Sequence, residues 1–228
     1  MTSEFCTFVL VDETLKIQLH DVISGKSQVR IGSVIQAIAS YLEKCAETGR
    51  EIKDGKLLKE QEEKRLRDYI DEQQLWKSDI DFSQYVSEGA EQRVYLKDSE
   101  HVLKLNDSIY YASWRDYFHN LILHNFFFPD TAYNLLGFTS ENDILFAVVE
   151  QPFVSITQNT DLRQVKEFLT SNGFDNIRNN DYFNAELGII LEDLHDENVL
   201  MKNGIPYFID TVFYLTKEFW DLNRGESR

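Results

Sequence analysis

Between Leu191 and Leu200 the chain reads LEDLHDENVL, which places Asp193 five positions ahead of Asn198 and follows them with the apolar pair Val199-Leu200. Asn203-Gly204 then suits a two-residue hairpin turn, and Tyr207-Phe208-Ile209 leads into a second aspartate, Asp210. A loop, a hairpin and a loop of this length bring all three side chains to one end of a small sheet. These residue types suit phosphoryl chemistry. One carboxylate can stand beside an attacking hydroxyl, while an amide and a second carboxylate are hard oxygen ligands for Mg²⁺ between phosphates. Taken alone, the Asp-to-Asn spacing is weak in so acidic a chain and also fits a surface loop. His195 between them reads equally as a loop histidine satisfied by Asp193 or Asp196.

The elements that must position these groups can be read upstream. Asp81 to Leu96 is strand-like with Gly89 in its middle, 97–100 is a polar turn, and His101 to Leu105 (HVLKL) is a further strand carrying Lys104. By itself Lys104 fits an edge-strand charge that discourages aggregation. Helical spacing runs from about Ser113 to Phe128 and stops at Pro129. Ile144 to Val149 is an apolar run suited to a buried strand, interrupted at Glu150-Gln151-Pro152. Asp161 to Asn172 reads as a helix stopped by Gly173.

Residues 5–20 suggest a strand, a turn at Asp12-Glu13 and a second strand. From Ser33, the positions Val34, Ile35, Ile38, Tyr41, Leu42 and Cys45 predict a helix that Gly49 ends. A second helix is expected from about Lys56 to Gln74, with Leu58, Leu66, Tyr69 and Ile70 as a thin apolar stripe. Its charged run, Lys59 to Asp68, reads as a solvated face with Glu60–Lys64 and Glu63–Arg67 in the favourable order.

Acidic residues outnumber basic ones 39 to 23, a formal charge of −16, so partners with basic patches are favoured and nucleic acid and anionic membrane are not expected. Sixteen Phe, eleven Tyr and three Trp supply a large core, with only ten Gly and three Pro, which points to a compact fold. Phe126 to Phe128, Trp114 and Trp220 are core or interface candidates. Cys6 and Cys45 form no metal or disulfide pattern, and His20, His101, His119 and His124 have no metal spacing. With no leader-like start and no apolar run of spanning length, a cytoplasmic protein is the expectation.

The stretch resembles the eukaryotic-type protein-kinase fold, with an Asp, a Leu, three residues and an Asn in one loop and a further Asp after a hairpin. It is most similar to the kinase domain of polyvalent proteins of phages and mobile elements. The residues that carry this are Asn125 with Phe128-Pro129, Leu136-Gly137-Phe138, Val149 to Phe153, Gly173-Phe174, Leu187-Gly188-Ile189, Asp193-Leu194-His195 and Asn198-Val199, over about 81–215. The resemblance implies an α+β, two-lobed protein-kinase-like domain over 81–228, with a short C-terminal lobe. It divides into an N-lobe at about 81–150, a hinge at 150–152 and a C-lobe at 153–228, and a strand and helix extension over 1–80 precedes it.

It further implies an ATP- and Mg²⁺-dependent phosphotransferase acting on a hydroxyl of a protein or small-molecule acceptor. Asp193 would be the catalytic base, Asn198 and Asp210 metal ligands, and Lys104 the partner of the nucleotide phosphates. Gly89 would belong to the phosphate-covering loop, Val94 would pack on the adenine, and the peptide groups from Val149 through Glu150 to Gln151 would read its edge. His195 stands where many kinases have Lys and would touch the transferred phosphate.

The chain departs from the family pattern in several places. The covering loop keeps one Gly of three and carries Glu88 and Glu91; Leu191 replaces a His; no Glu lies between His101 and Ser140, so the usual ion pair to the strand lysine uses Asp116 or is absent. Thr211-Val212 replaces Phe-Gly, and eighteen residues follow Asp210, too few for a long activation segment. Two other readings stay open. One is a catalytically inactive kinase-like module that binds a partner, and the other is a small-molecule kinase of the aminoglycoside or choline type.

Overall fold

The structure, a computed structural model, describes residues 13–47, 55–89 and 92–221. The chain divides into two units, Gln28–Ser155 and the described residues of Met1–Ser27 with Ile156–Arg228. Where two strands are expected over 5–20, residues from Glu13 onward form helix α1 (Glu13–Ile23), and the first expected strand lies outside the described residues. The reason is a period that extends past position 20. Leu19, Val22 and Ile23 are all buried on one helical face.

In the unit Gln28–Ser155, helix α2 (Ser33–Glu47) buries Ile35, Ile38, Ala39 and Leu42. The expected stop at Gly49 lies outside the described residues. Helix α3 (Gly55–Glu72) buries Leu66 and Ile70 and carries the Glu63–Arg67 ion pair at 2.7 Å. Its charged run is not simply a solvated face. Lys59 Nζ donates to the carbonyls of Ser108 (2.5 Å) and Tyr111 (3.0 Å), and Glu62 is only 1% exposed. Charge in a sequence window does not reveal which carbonyls and amides a neighbouring element will present.

Five strands follow: β1 (Tyr85–Glu88), β2 (Gln92–Leu96), β3 (His101–Asn106), β4 (Asn134–Glu141) and β5 (Ile144–Pro152), with helix α4 (Trp114–Phe127) between β3 and β4. They form one antiparallel sheet in the order β1-β2-β3-β5-β4. The expected interruption at Glu150 is absent, since β5 runs on to Pro152, opposite His101. A proline with no N–H is accommodated there as the last residue of the strand.

Alternation divides the sheet into two faces. On one, Tyr95, Leu105 and Val148 form a core with Ile80, Leu103 and Phe146 against them. The opposite face carries the opposed row Val94, Lys104 and Val149. Phe138, opposite Ala147, lies on this face too, and Trp114 and Phe118 of α4 pack on its ring at 6.5 and 6.3 Å.

Helix α4 is buried on nearly every side, with α2 and α3 also packed against it. Ser113 caps it by accepting from the Asp116 amide at 3.0 Å. The Glu62 carboxylate adds a second cap from α3, accepting from the Arg115 amide at 3.4 Å. Burial pushes the Glu62 pKa up, and the Arg115 guanidinium and the helix-start amides oppose that rise.

The second unit holds helix α5 (Leu162–Ser171), strands β6 (Asp175–Arg178), β7 (Asp181–Asn184), β8 (Ile189–Glu192), β9 (Val199–Lys202), β10 (Ile205–Phe208) and β11 (Val212–Leu215), and the short helix α6 (Lys217–Trp220). Four of these strands pair as β11-β8-β7-β6, and β9 and β10 form a separate hairpin. Asn203 and Gly204 both have positive φ, 54° and 79°, as a tight two-residue turn requires. The 157–160 segment lines β9: Thr157 N donates to Met201 O (3.1 Å) and Thr160 Oγ1 to Val199 O (2.5 Å). Helix α1 belongs to this unit, where His20 stacks on Phe219 at 5.9 Å. No helix among the described residues is long and apolar enough to cross a membrane.

Gly188, just before β8, has φ +70°, and a Cβ there would lie 2.2 Å from the Phe219 nitrogen. At Gly204 the φ is similar, but a Cβ would meet nothing within 4 Å. The left-handed backbone alone costs about 1–2 kcal/mol for an alanine. Gly204→Ala is therefore expected to lose about that much stability by urea denaturation. Gly188→Ala should lose distinctly more, roughly 3 kcal/mol or beyond, because backbone atoms must also move.

Candidate active site

Two loops leave the same end of the small sheets. Residues 193–198 connect β8 to β9, and residues 209–211 connect β10 back to β11, which pairs with β8 through Val212 opposite Glu192. The loops are tied together by one carbonyl. Asn198 O accepts from the amides of Ile209 (2.9 Å) and Asp210 (3.4 Å). Asp193, His195, Asn198 and Asp210 are thereby brought together, as their spacing implies.

Asp193 stands at φ +65°, a left-handed conformation that aspartate tolerates better than most side chains. Its amide donates to Asp181 Oδ1 (3.3 Å), and the next amide, of Leu194, donates to Asn180 O (3.3 Å). The start of β7 thus holds the bend. Asn198 Nδ2 has two protons and meets two acceptors of Asp193, the carbonyl and Oδ2, both at 2.9 Å. His195 Nδ1 accepts from the Glu197 amide at 3.3 Å, and its Nε2 lies 3.1 Å from Asn198 Nδ2 and 3.4 Å from Asp193 Oδ1. Asp193 Oδ2 therefore has its donor in Asn198, and the His195 ring stands beside Oδ1. The reading of His195 as a loop histidine satisfied by Asp193 describes its contacts.

With Nδ2 turned toward Asp193 and His195, Asn198 Oδ1 is left with no donor among the described residues, in a residue whose backbone carbonyl accepts from Asp210. That donor set suits a magnesium ion, whose ligands are oxygens. The Asp193 side chain is 57% exposed, yet partial desolvation pushes its pKa up from the ordinary aspartate value. Asp210 and Asp181 push the same way, while His195 and Asn198 oppose. Burial, Asp181 and Asp193 likewise raise Glu192. Sequence reasoning missed Asp181 and Glu192, because β6 and β7 carry no strong strand signal and Asp181 acts through a backbone amide.

The remaining predicted residues lie in the other unit. Lys104 is on the third strand of the five-stranded sheet, 4% exposed, with Val94 directly opposite on β2 and Val149 on β5. A lysine on the third strand after a glycine hairpin is the arrangement that holds phosphates in protein kinases. Gly89 follows β1, and Ala90 and Glu91 of the expected covering loop lie outside the described residues. Gly89 also borders a cavity of about 230 Å³ whose wall includes Arg93, Leu105 and Phe146, on the sheet face opposite Lys104. Glu150 pairs through its side chain with Lys97, and Gln151 Nε2 donates to Thr131 O at 2.7 Å. Beyond Asn134, opposite Glu150, β4 no longer accompanies β5, so Gln151 has its strand partner on the β3 side, Val102.

Asp116, the acid that the sequence leaves for pairing with Lys104, sits in the first turn of α4. It is two turns before His124, the α4 residue whose ionisation the Lys104 charge influences.

A mixed helix and sheet fold with this lysine strand and this Asp-Asn-Asp cluster is kinase-like. The sequence profile of the serine/threonine/tyrosine kinase found in polyvalent proteins matches residues 59–217, and the chain belongs to that family. The match begins earlier than the resemblance over 81–215 suggests, and takes in α3 from Lys59 with its capping Glu62. No curated protein and no solved structure matches the chain.

Because folding raises the Asp193 pKa, the native state binds that proton more tightly than the unfolded chain, and stability is lost as pH rises from the ordinary aspartate range near 4 upward. The stability of Asp193→Asn relative to the natural chain should therefore increase between pH 4 and pH 7. Denaturation midpoints at both pH values measure this, and a relative decrease would contradict the assigned direction.

Proposed function

We propose that this chain is an ATP- and Mg²⁺-dependent phosphotransferase that delivers a phosphoryl group to a hydroxyl, on a protein acceptor. The observation that carries the reading is the joined pair of loops holding Asp193, Asn198 and Asp210. In this proposal Asp193 orients the acceptor hydroxyl and takes its proton. Its raised pKa makes it a stronger base than an ordinary aspartate, and the Asn198 donor fixes the direction in which it points.

Asn198 and Asp210 would hold Mg²⁺, which when bound neutralises charge on the phosphate oxygens. Lys104 would bind the nucleotide phosphates, Val94 would pack on the base, Gly89 would close over the phosphates, and the peptide groups of Glu150 and Gln151 would meet the adenine edge. The two-lobed division into 81–150 and 153–228 about a hinge at 150–152, after an extension over 1–80, and a cytoplasmic setting are part of the same reading. The charge of −16 favours an acceptor with basic residues around its hydroxyl.

The test compares two variants. Asp193→Ala should keep Mg·ATP binding within about twofold and lose phosphoryl transfer by a factor of ~10² or more. Asp210→Ala should weaken the metal-dependent binding as well, and equal losses in both would refute these roles. Nucleotide at about one hundred times its Kd should add roughly 2.7 kcal/mol of stability. No thermal shift with ATP and Mg²⁺ would instead favour a kinase-like module that binds a partner without catalysis.

A further inference from the structure

Lys104 is held in an unusual environment for a phosphate-binding amine. Its Nζ lies 5.4 Å from the centroid of the Tyr133 ring, inside the range at which a cation is attracted to a π face. The His124 imidazole contacts that ring at a tilt of 51°, with centroids 4.5 Å apart. We propose that Tyr133 and His124 form a cradle that positions Lys104, Tyr133 by offering its face to the ammonium and His124 by supporting that ring.

Each wall of the cradle is locked from behind. Asn125 grips the Tyr133 backbone twice, accepting from its amide at Oδ1 (2.6 Å) and donating from Nδ2 to its carbonyl (2.8 Å). His124 is fully buried, and its Nε2 donates to Thr131 O at 3.0 Å, the carbonyl that also accepts from Gln151 Nε2 at 2.7 Å. Burial pushes the His124 pKa down to about 3, so the ring is neutral beside the ammonium. Val94 and Val149, the cross-strand neighbours of Lys104, flank it on the sheet. Asp116 is eight residues before His124, about 12 Å along the helix at 1.5 Å per residue, where it faces Ser113, Lys59 and Glu62.

The consequence is chemical. A ring face attracts an ammonium through its quadrupole without transferring a proton or cancelling the charge. The assignment of nucleotide phosphate as the amine's ligand rests on the function proposed above. The cradle itself rests on the contacts.

The experiment uses the full chain labelled with ¹³C,¹⁵N-lysine, with Lys104 assigned by Lys104→Arg. Without any ligand, the Lys104 ε-methylene should be shifted upfield by the Tyr133 ring current and show a nuclear Overhauser effect to its ring protons. Tyr133→Phe, which keeps the π face, should retain the shift and bind Mg·ATP within about twofold of the natural chain. Tyr133→Leu should abolish the shift and weaken Mg·ATP binding by about three- to tenfold. His124→Gln, which keeps a donor toward Thr131 and removes the contacting ring, should reduce the shift.

An unshifted Lys104 with no Overhauser effect in the natural chain would overturn the cradle, a result that needs no variant to fold. So would a shift unchanged in Tyr133→Leu. If the natural chain shows the shift and the effect but binds no nucleotide, the phosphotransferase reading fails while the cradle stands.

Discussion

The candidate active site depends on Asn198, which acts in two loops at once. Its backbone carbonyl receives the amides of Ile209 and Asp210, and its side-chain amide spends both protons on Asp193. Each group alone is a hydrogen bond of modest net value, about 1 kcal/mol. Together they convert two separate connections into one object, so that the distance between the two aspartates is set by a residue that lies between them. The residue is 9% exposed, which shields these bonds from competing water. Desolvation is the larger cause of the raised Asp193 pKa, and the repulsion of a second carboxylate held in the same neighbourhood adds to it.

In the other unit the corresponding constraint is a helix that has no solvent face. Along α4, His119, Asn120, His124 and Asn125 are buried among Trp114, Tyr117, Phe118 and Phe127. Polar groups survive there because they have specific partners: Asn120 donates to the Tyr111 hydroxyl (2.8 Å), His124 to Thr131 and Asn125 to Tyr133. These bonds fix how α4 sits on the sheet face that carries Lys104. The capping of its first turn by Glu62 ties α3 into the same arrangement.

Much of this was legible in the sequence where the signal is local. The Asn203-Gly204 turn, the extent of α4 from about Ser113 to Phe128, the glycine stop after α5 and the cluster around Asp193 all follow from short spacings or backbone preferences. What was not legible depends on partners distant in sequence. Glu62 and Lys59 look like surface charges until the start of α4 and the 108–111 loop are placed beside them. The helix α1 was obscured because a window over 5–20 stops before Val22 and Ile23, the residues that establish its period. Asp181 lies in a hairpin too short to announce itself. His124 and Tyr133 are ordinary core residues by pattern, and only the packing of α4 shows that they face the strand lysine.

The unit that carries Asp193 is discontinuous in the chain, built among the described residues from 13–27 and 156–221. Lys16 of α1 donates to the Glu218 carbonyl, 202 positions later, whereas the five-stranded sheet and its helices form from one uninterrupted span. During synthesis that span can complete its contacts while α1 still waits for α6 to emerge. Contacts that close over so long a stretch of chain form more slowly than local ones, and here they fall on the unit that carries Asp193.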